Sequence, residues 1–241
     1  MRCARRSRPG RTQGVSEITE TGTAKGDVTV VEPSRLQQAL ARRVAEAKAT
    51  VPEHVLAVEV DLEAALATGV PPIDLVIKAC ALALREVPQA NASYKDGRYE
   101  QYSRVNVGVA LAAQDALVVP TIFDADRKAP DAIGAERKAL TAKVRAGEIT
   151  AAEVGNATFT IHDQGAGGAD AATAIIQAPQ AATLALGAVA PRVVAHEGAP
   201  AVRHTATATL TCDHRILFGA QATRFLARVR ERLEQPAELL G

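Results

Sequence analysis

From Ile73 to Val87 the chain is apolar on nearly every side, and Pro88, which cannot continue a helix, stops it. A helix without a polar face has to be covered all round, so this segment predicts a buried helix. The elements that could cover it follow from periodicity. Pro33-Ser34 is a helix start, with Leu36, Leu40, Val44 and Ala47 on one face, which predicts a helix packed on a sheet. Leu56, Val58 and Val60 alternate as in a strand, and so do Val105, Val107, Val109 and Leu111. Lys95-Asp96-Gly97-Arg98 reads as a hairpin turn, Leu117 to Ile122 as more sheet, and Pro130 to Arg145 as a helix with its charges outward. Ala157 to Ile161, Ala182 to Val189 and Val202 to Cys212 read as strands, and Gly165 to Gly168 as a turn. The last helix is the clearest: Ala222, Phe225, Leu226, Val229 and Leu233 line one face, arginines line another, and Pro236 ends it. Strands and helices interleave irregularly, the pattern of an α/β chain with a mixed sheet backed by helices.

The 241 residues, 47% of them hydrophobic, suffice for one sizeable core and argue for a single folded domain over residues 34–241. Residues 1–33 are rich in Arg, Gly, Thr and Ser with little periodicity, and read as a flexible basic N-terminal arm. A net charge of +1 gives no electrostatic footprint for nucleic acid or for an acidic membrane. No apolar run follows Arg2, Arg5, Arg6, Arg8 and Arg11, so neither a signal peptide nor a membrane span is expected. Cys3, Cys80 and Cys212 are odd in number and lack metal-ligand spacing, which fits a reducing cytoplasm and no metal. His54, His196 and His204 are scattered, with no spacing that suggests zinc.

Chemistry enters at Thr209–Gly219. Thr209, Thr211 and Asp213 alternate with Leu210 and Cys212, so His214 stands at the end of a strand, and Gly219-Ala220 opens the last helix. A histidine there is placed to act as a base. Cys212 points to the same side of the strand as His214, which raises a Cys-His nucleophile as a competing idea; neighbours at that spacing lie side by side rather than aimed at each other.

Asp213-His214-Arg215, two aliphatics, Phe218 and Gly219-Ala220 together resemble the His-x-x-x-Asp-Gly signature of the dihydrolipoyl acyltransferase catalytic domain of 2-oxo acid dehydrogenase complexes. Further blocks resemble it in the same order: Ser34-Arg35 with Ala41-x-Arg43 and Lys48-x-x-x-Pro52, then Lys78-Ala79 to Asn91-Ala92-Ser93, then Leu117-Val118-Val119-Pro120. Thr158-Phe159-Thr160-Ile161 and Pro179-Gln180-Ala181-Ala182 complete the series. The resemblance implies a chloramphenicol-acetyltransferase-like two-layer sandwich, a homotrimer or a multiple of trimers, and active sites at subunit boundaries. It also implies acetyl-CoA as the acyl donor and His214 as general base.

Two positions depart from that family pattern. Phe218 stands where Asp or Asn is expected, and His162 stands where a serine hydroxyl would hydrogen-bond the tetrahedral oxyanion. A protonated or suitably tautomeric imidazole could donate there; the alternative is that His162 is a solvated loop residue. No lipoyl domain is evident, and no covalent lipoyl group is expected on this chain. The leading expectation is therefore a stand-alone enzyme moving a small acyl group from CoA to a hydroxyl of a free small molecule, such as a tetronate-type natural-product intermediate. The alternatives are a core dihydrolipoamide acyltransferase subunit of a 2-oxo acid dehydrogenase complex, disfavoured by Phe218 and His162, and a catalytically inactive trimeric scaffold, disfavoured by the retained His214.

Overall fold

The computed structural model describes residues 17–113 and 117–240. Its strands are β1 (Glu17–Thr23), β2 (Gly26–Val31), β3 (Glu53–Asp61), β4 (Ala92–Lys95), β5 (Arg98–Gln101), β6 (Val107–Ala112), β7 (Leu117–Val118), β8 (Thr121–Ile122), β9 (Phe159–Asp163), β10 (Ala182–Leu186), β11 (Ala190–His196) and β12 (Ala199–Asp213). Its α-helices are α1 (Arg35–Thr50), α2 (Glu63–Ala67), α3 (Pro72–Glu86), α4 (Pro130–Ala146) and α5 (Gly219–Glu234).

The apolar segment is α3, buried along most of its length, and Val87 caps it ahead of Pro88. It lies with α4 and α5 against one face of an eight-stranded mixed sheet. β12 runs antiparallel to β3 along one edge and to β10 and β11 along the other; β10, β9 and β6 then continue in parallel. The core is the layer between helices and sheet, where Val107, Phe159, Ile161, Leu184 and Leu210 meet Leu75, Ile133, Phe225 and Val229. Phe159 and Phe225 are in ring contact at 5.5 Å.

The register sets what the opposite face presents. Thr121, Gly108, Thr160, Thr183 and Thr211 form one rung across five strands; Ala110, His162, Ala185 and Thr209 form another. Residues opposite one another in a ladder point to the same side, so this face is small and hydroxyl-rich where the core face is aliphatic. Gly108 is required by that crowding: a Cβ there would lie 2.6 Å from the Val119 side chain and 2.8 Å from that of Ala157.

Four local expectations change. Within the segment read as an arm, β1 and β2 pair as an antiparallel hairpin, so the described part of it is structured; residues 1–16, with Cys3 and the arginines, lie outside the described residues. α1 begins as read, with a capping box in which Ser34 accepts from the Gln37 backbone and Gln37 from that of Ser34. Its apolar face is not sealed against the sheet, however: Leu36 is 58% exposed and only Ala47 is buried. β11 was not anticipated; it pairs with the start of β12 through a turn at Glu197 and Gly198, both at positive φ. The strand read as ending at Ile161 runs on to Asp163, which takes His162 out of any loop.

Candidate active site

His214 is the first residue beyond β12, and the turn that carries it is clamped from both sides. Its backbone N–H donates to the carbonyl of Pro52, ahead of β3, at 3.0 Å, and the Asp213 N–H donates to Ala181 at 2.8 Å. Leu217 N–H closes the turn onto the Asp213 carbonyl at 2.9 Å. The buried Asp213 carboxylate takes the Arg215 guanidinium in a two-pronged pair, Nη2 to Oδ2 at 2.7 Å and Nε to Oδ1 at 2.9 Å. That pairing raises the Arg215 pKa above its ordinary value. The guanidinium also lies 4.3 Å over the Tyr94 ring, and the Tyr99 hydroxyl donates to the Arg215 carbonyl at 2.9 Å. The clamp leaves His214 itself exposed.

The His214 imidazole makes two aromatic ring contacts. His54 meets it edge-on with centroids 4.9 Å apart and Phe218 at 5.7 Å and 86°. Sequence reasoning set His54 aside as scattered. The register places it directly: Cys212 pairs with His54 and Asp213 with Glu53 across β12 and β3.

Phe218 is the N-cap residue of α5 and gives the helix no side-chain cap. An Asp or Asn at this position could accept a hydrogen bond from the first turn of the helix. Phenylalanine gives up that bond and, 47% exposed, lays its ring against that of His214 instead.

His162 has a different setting. It stands in β9 between Ala110 and Ala185, only 6% exposed, and its Nε2 is buried without a hydrogen-bond partner. Burial pushes its pKa down to about 4. It is therefore neither a solvated loop residue nor, at neutral pH, the charged donor considered above; a neutral ring has one N–H to offer.

Within one chain the two histidines stand apart. His162 shares a rung with Thr209, two strands away and five residues before His214. At about 3.3 Å per residue and 4.8 Å per strand, that is on the order of 15–20 Å, too far for both to touch one carbonyl group.

Cys212 is a buried thiol that donates to the carbonyls of His54 at 3.4 Å and Leu217 at 3.6 Å. Burial, with the Asp213 charge beside it, pushes its pKa up to about 12, so it offers no thiolate for a Cys-His nucleophile. His204 pairs with Glu63 at 2.8 Å, well away from this turn, and His196 ends β11. Among the described residues no group of three or more His, Cys, Asp or Glu side chains could hold a metal, and no helix is long and apolar enough to cross a membrane. A cavity of about 300 Å³ adjoins the turn, lined by Thr50, Val51, Tyr94, Pro179, Gln180 and Arg215. A larger one, of about 490 Å³, lies toward the other end of β12 among Asp61, Arg203, Arg230 and Glu234, which form the ion pairs Arg203–Asp61 and Arg230–Glu234.

A mixed sheet backed by helices, with a histidine exposed between the longest strand and the last helix, is the architecture of an acyltransferase core. The family model described as "2-oxoacid dehydrogenases acyltransferase (catalytic domain)" matches residues 25–241, and the chain belongs to that family. It is 34% identical over 248 residues to the mitochondrial dihydrolipoyllysine-residue acetyltransferase component 3 of the pyruvate dehydrogenase complex of Arabidopsis thaliana, covering 96% of this chain and 46% of that protein. The chain thus spans about half the length of the curated relatives it matches. Among solved structures it is similar to the cubic core of the pyruvate dehydrogenase multienzyme complex, with a TM-score of 0.84, 28% identity, and 94% of this chain and all of that one covered. It is likewise similar to the dihydrolipoamide acetyltransferase of Azotobacter vinelandii, with a TM-score of 0.87, 28% identity and the same coverage. That enzyme was studied for the catalytic roles of a serine, of a histidine 52 positions after it, and of an asparagine four positions further on. His162, His214 and Phe218 stand at the same two spacings in this chain.

Proposed function

We propose that the chain transfers a small acyl group between the thiol of CoA and a second thiol, that of a dihydrolipoyl group, with His214 as general base and the His162 imidazole as oxyanion donor. The observation that carries this reading is the exposed His214 on its clamped turn, 52 positions after His162, the spacing of the histidine and serine whose catalytic roles were examined in a structural relative. His214 takes the proton of the attacking thiol, and the sulfur adds to the thioester carbon. The N–H of His162 holds the resulting oxyanion; the carbonyl re-forms as the first thiol leaves, and His214 returns the proton to it. His162 comes from a neighbouring copy, since one chain holds the two rings too far apart. A homotrimer, or a multiple of trimers, provides that neighbour, and the open face of α1 and the exposed Val55 give it apolar surface to cover.

The relatives' dihydrolipoyl acceptor is favoured here over the small-molecule hydroxyl expected from the sequence, because the relatives and solved structures named above are dihydrolipoyl acetyltransferases. Cys80 and Cys212 are free, buried thiols, which suits the reducing cytoplasm expected for the chain.

Incubation of the purified protein with acetyl-CoA and dihydrolipoamide should release free CoA and form S-acetyl-dihydrolipoamide. Acetyl-CoA, and desulfo-CoA as a non-reacting stand-in, should each raise Tm. Binding without transfer to this thiol, but with transfer to a hydroxyl acceptor, would move the assignment to a free-standing O-acyltransferase. Binding of neither would leave the inactive scaffold.

A further inference from the structure

The family signature accounts for His214, but not for the second imidazole that the fold brings to it. His54 lies on β3, 160 residues away in sequence, on the same side of the strand as Leu56, Val58 and Val60, so it closes the core at the end where α5 begins. Two contacts hold it there, and the start of α5 lies close by. Its backbone carbonyl accepts from the Cys212 thiol at 3.4 Å. Its Nε2 lies 4.0 Å from where a Cβ on Gly219, the first residue of α5, would stand. Its ring meets the edge of His214 at 4.9 Å and 65°. The strand end that holds it is pinned in turn, since Glu53 pairs with Lys48 of α1 and Pro52 accepts the backbone N–H of His214.

Among the described residues, no hydrogen bond orients the His214 imidazole; its ring contacts include His54 and Phe218. An exposed side chain with two free torsions samples several staggered rotamers, and a general base works only from the one aimed at the attacking proton. Edge-to-face aromatic pairs have a preferred geometry, so two of them on one ring narrow that choice.

We infer that His54 is a positioning residue for the reaction: it holds the His214 imidazole in its productive rotamer, with Phe218 as a second wall, in place of a hydrogen bond from the helix N-cap position. The inference rests on the acyltransferase reading of His214 for its kinetic consequence and on the ring contact alone for its structural one. The ring is the working part, so phenylalanine at position 54 should serve almost as well as histidine.

The test uses the full chain with its histidines labelled with ¹³C, and five imidazole signals are expected. The signal that vanishes in His214→Ala is that of His214. It should shift in His54→Ala, which removes the ring current, and stay close to its place in His54→Phe. With acetyl-CoA and dihydrolipoamide, His54→Ala should lower kcat about tenfold with KM for acetyl-CoA unchanged, because rotamer misplacement weakens the chemical step and not CoA binding. His54→Phe should recover kcat to within about threefold. Should His54→Ala fail to fold, the position of the His214 signal in His54→Phe and in His54→Leu, which has bulk without a ring, carries the test: it should shift in the second only. An unmoved His214 signal on loss of the ring, or a wild-type kcat in His54→Ala, would overturn the inference. An inactive wild type with a shifted His214 signal would sink the acyltransferase reading and leave the positioning contact standing.

Discussion

His214 and His162 are the same side chain in opposite settings. His214 stands in a turn, exposed, its backbone clamped by Pro52, Asp213, Arg215 and Tyr99, and its ring against those of His54 and Phe218. His162 stands in the middle of a sheet, all but enclosed, with a ring nitrogen that has no partner. The difference suits the two proposed jobs. A base has to exchange protons with a substrate that arrives and leaves, so it needs access and a fixed stem. An oxyanion donor has to be aimed before charge develops, so it gains from a rigid strand and from a site that excludes water. A buried polar atom without a partner costs stability in the resting protein, and a bound oxyanion would satisfy it.

Substitution should separate the two settings. His214→Ala should abolish transfer, a loss of at least about a thousandfold, with acetyl-CoA still raising Tm, because the proton sink is gone and the binding surface is not. His162→Ala should lose about a hundred- to a thousandfold in kcat, the usual effect of one oxyanion donor, and His162→Ser should retain most of the rate by supplying a hydroxyl from the same strand. Wild-type activity in His162→Ala would reduce His162 to a bystander and collapse the comparison.

Acid should distinguish them as well. The folded chain keeps His162 neutral down to about pH 4, whereas an unfolded histidine takes up its proton near pH 6.5. The unfolded state therefore binds more protons in that window, so the stabilisation is whole above pH 6.5 and falls as the pH drops toward 4. The loss should be on the order of 3 kcal/mol by the lower limit, measured by denaturant unfolding, and His162→Ser should remove that part of the fall. The smallest effect is at Phe218. Phe218→Asn should give α5 the cap it lacks and stabilise the fold by about 1 kcal/mol, roughly 2–4 °C in Tm, while removing one of the two rings that bear on His214.

What the sequence made legible was local. The buried α3, the turn whose Asp96 and Gly97 both take positive φ, and the passage from β12 into α5 are each written in a few consecutive residues. The motif around His214 is of that kind, so the exposed histidine, the strand end and the helix start were legible together. His54 was not, because its position depends on the register between β3 and β12, which no local pattern encodes. β11 escaped because Pro191 and Arg192 interrupt its apolar run and its hairpin turns on Glu197-Gly198 rather than on a stronger turn pair. His162 was found by alignment to a motif, but its burial follows from two neighbouring strands that are distant in sequence. The exposed face of α1 is a surface whose packing the single chain does not complete.

That His214 and His162 act from different copies can be tested by complementation. His214→Ala and His162→Ala chains, unfolded together in equal amounts and refolded, should form mixed assemblies in which about one boundary in four pairs an intact His214 with an intact His162. Transfer from acetyl-CoA to dihydrolipoamide should then recover to about a quarter of the wild-type rate, far above the two variants refolded separately. A mixture no more active than the average of the two separate variants would mean that each site is built within a single chain.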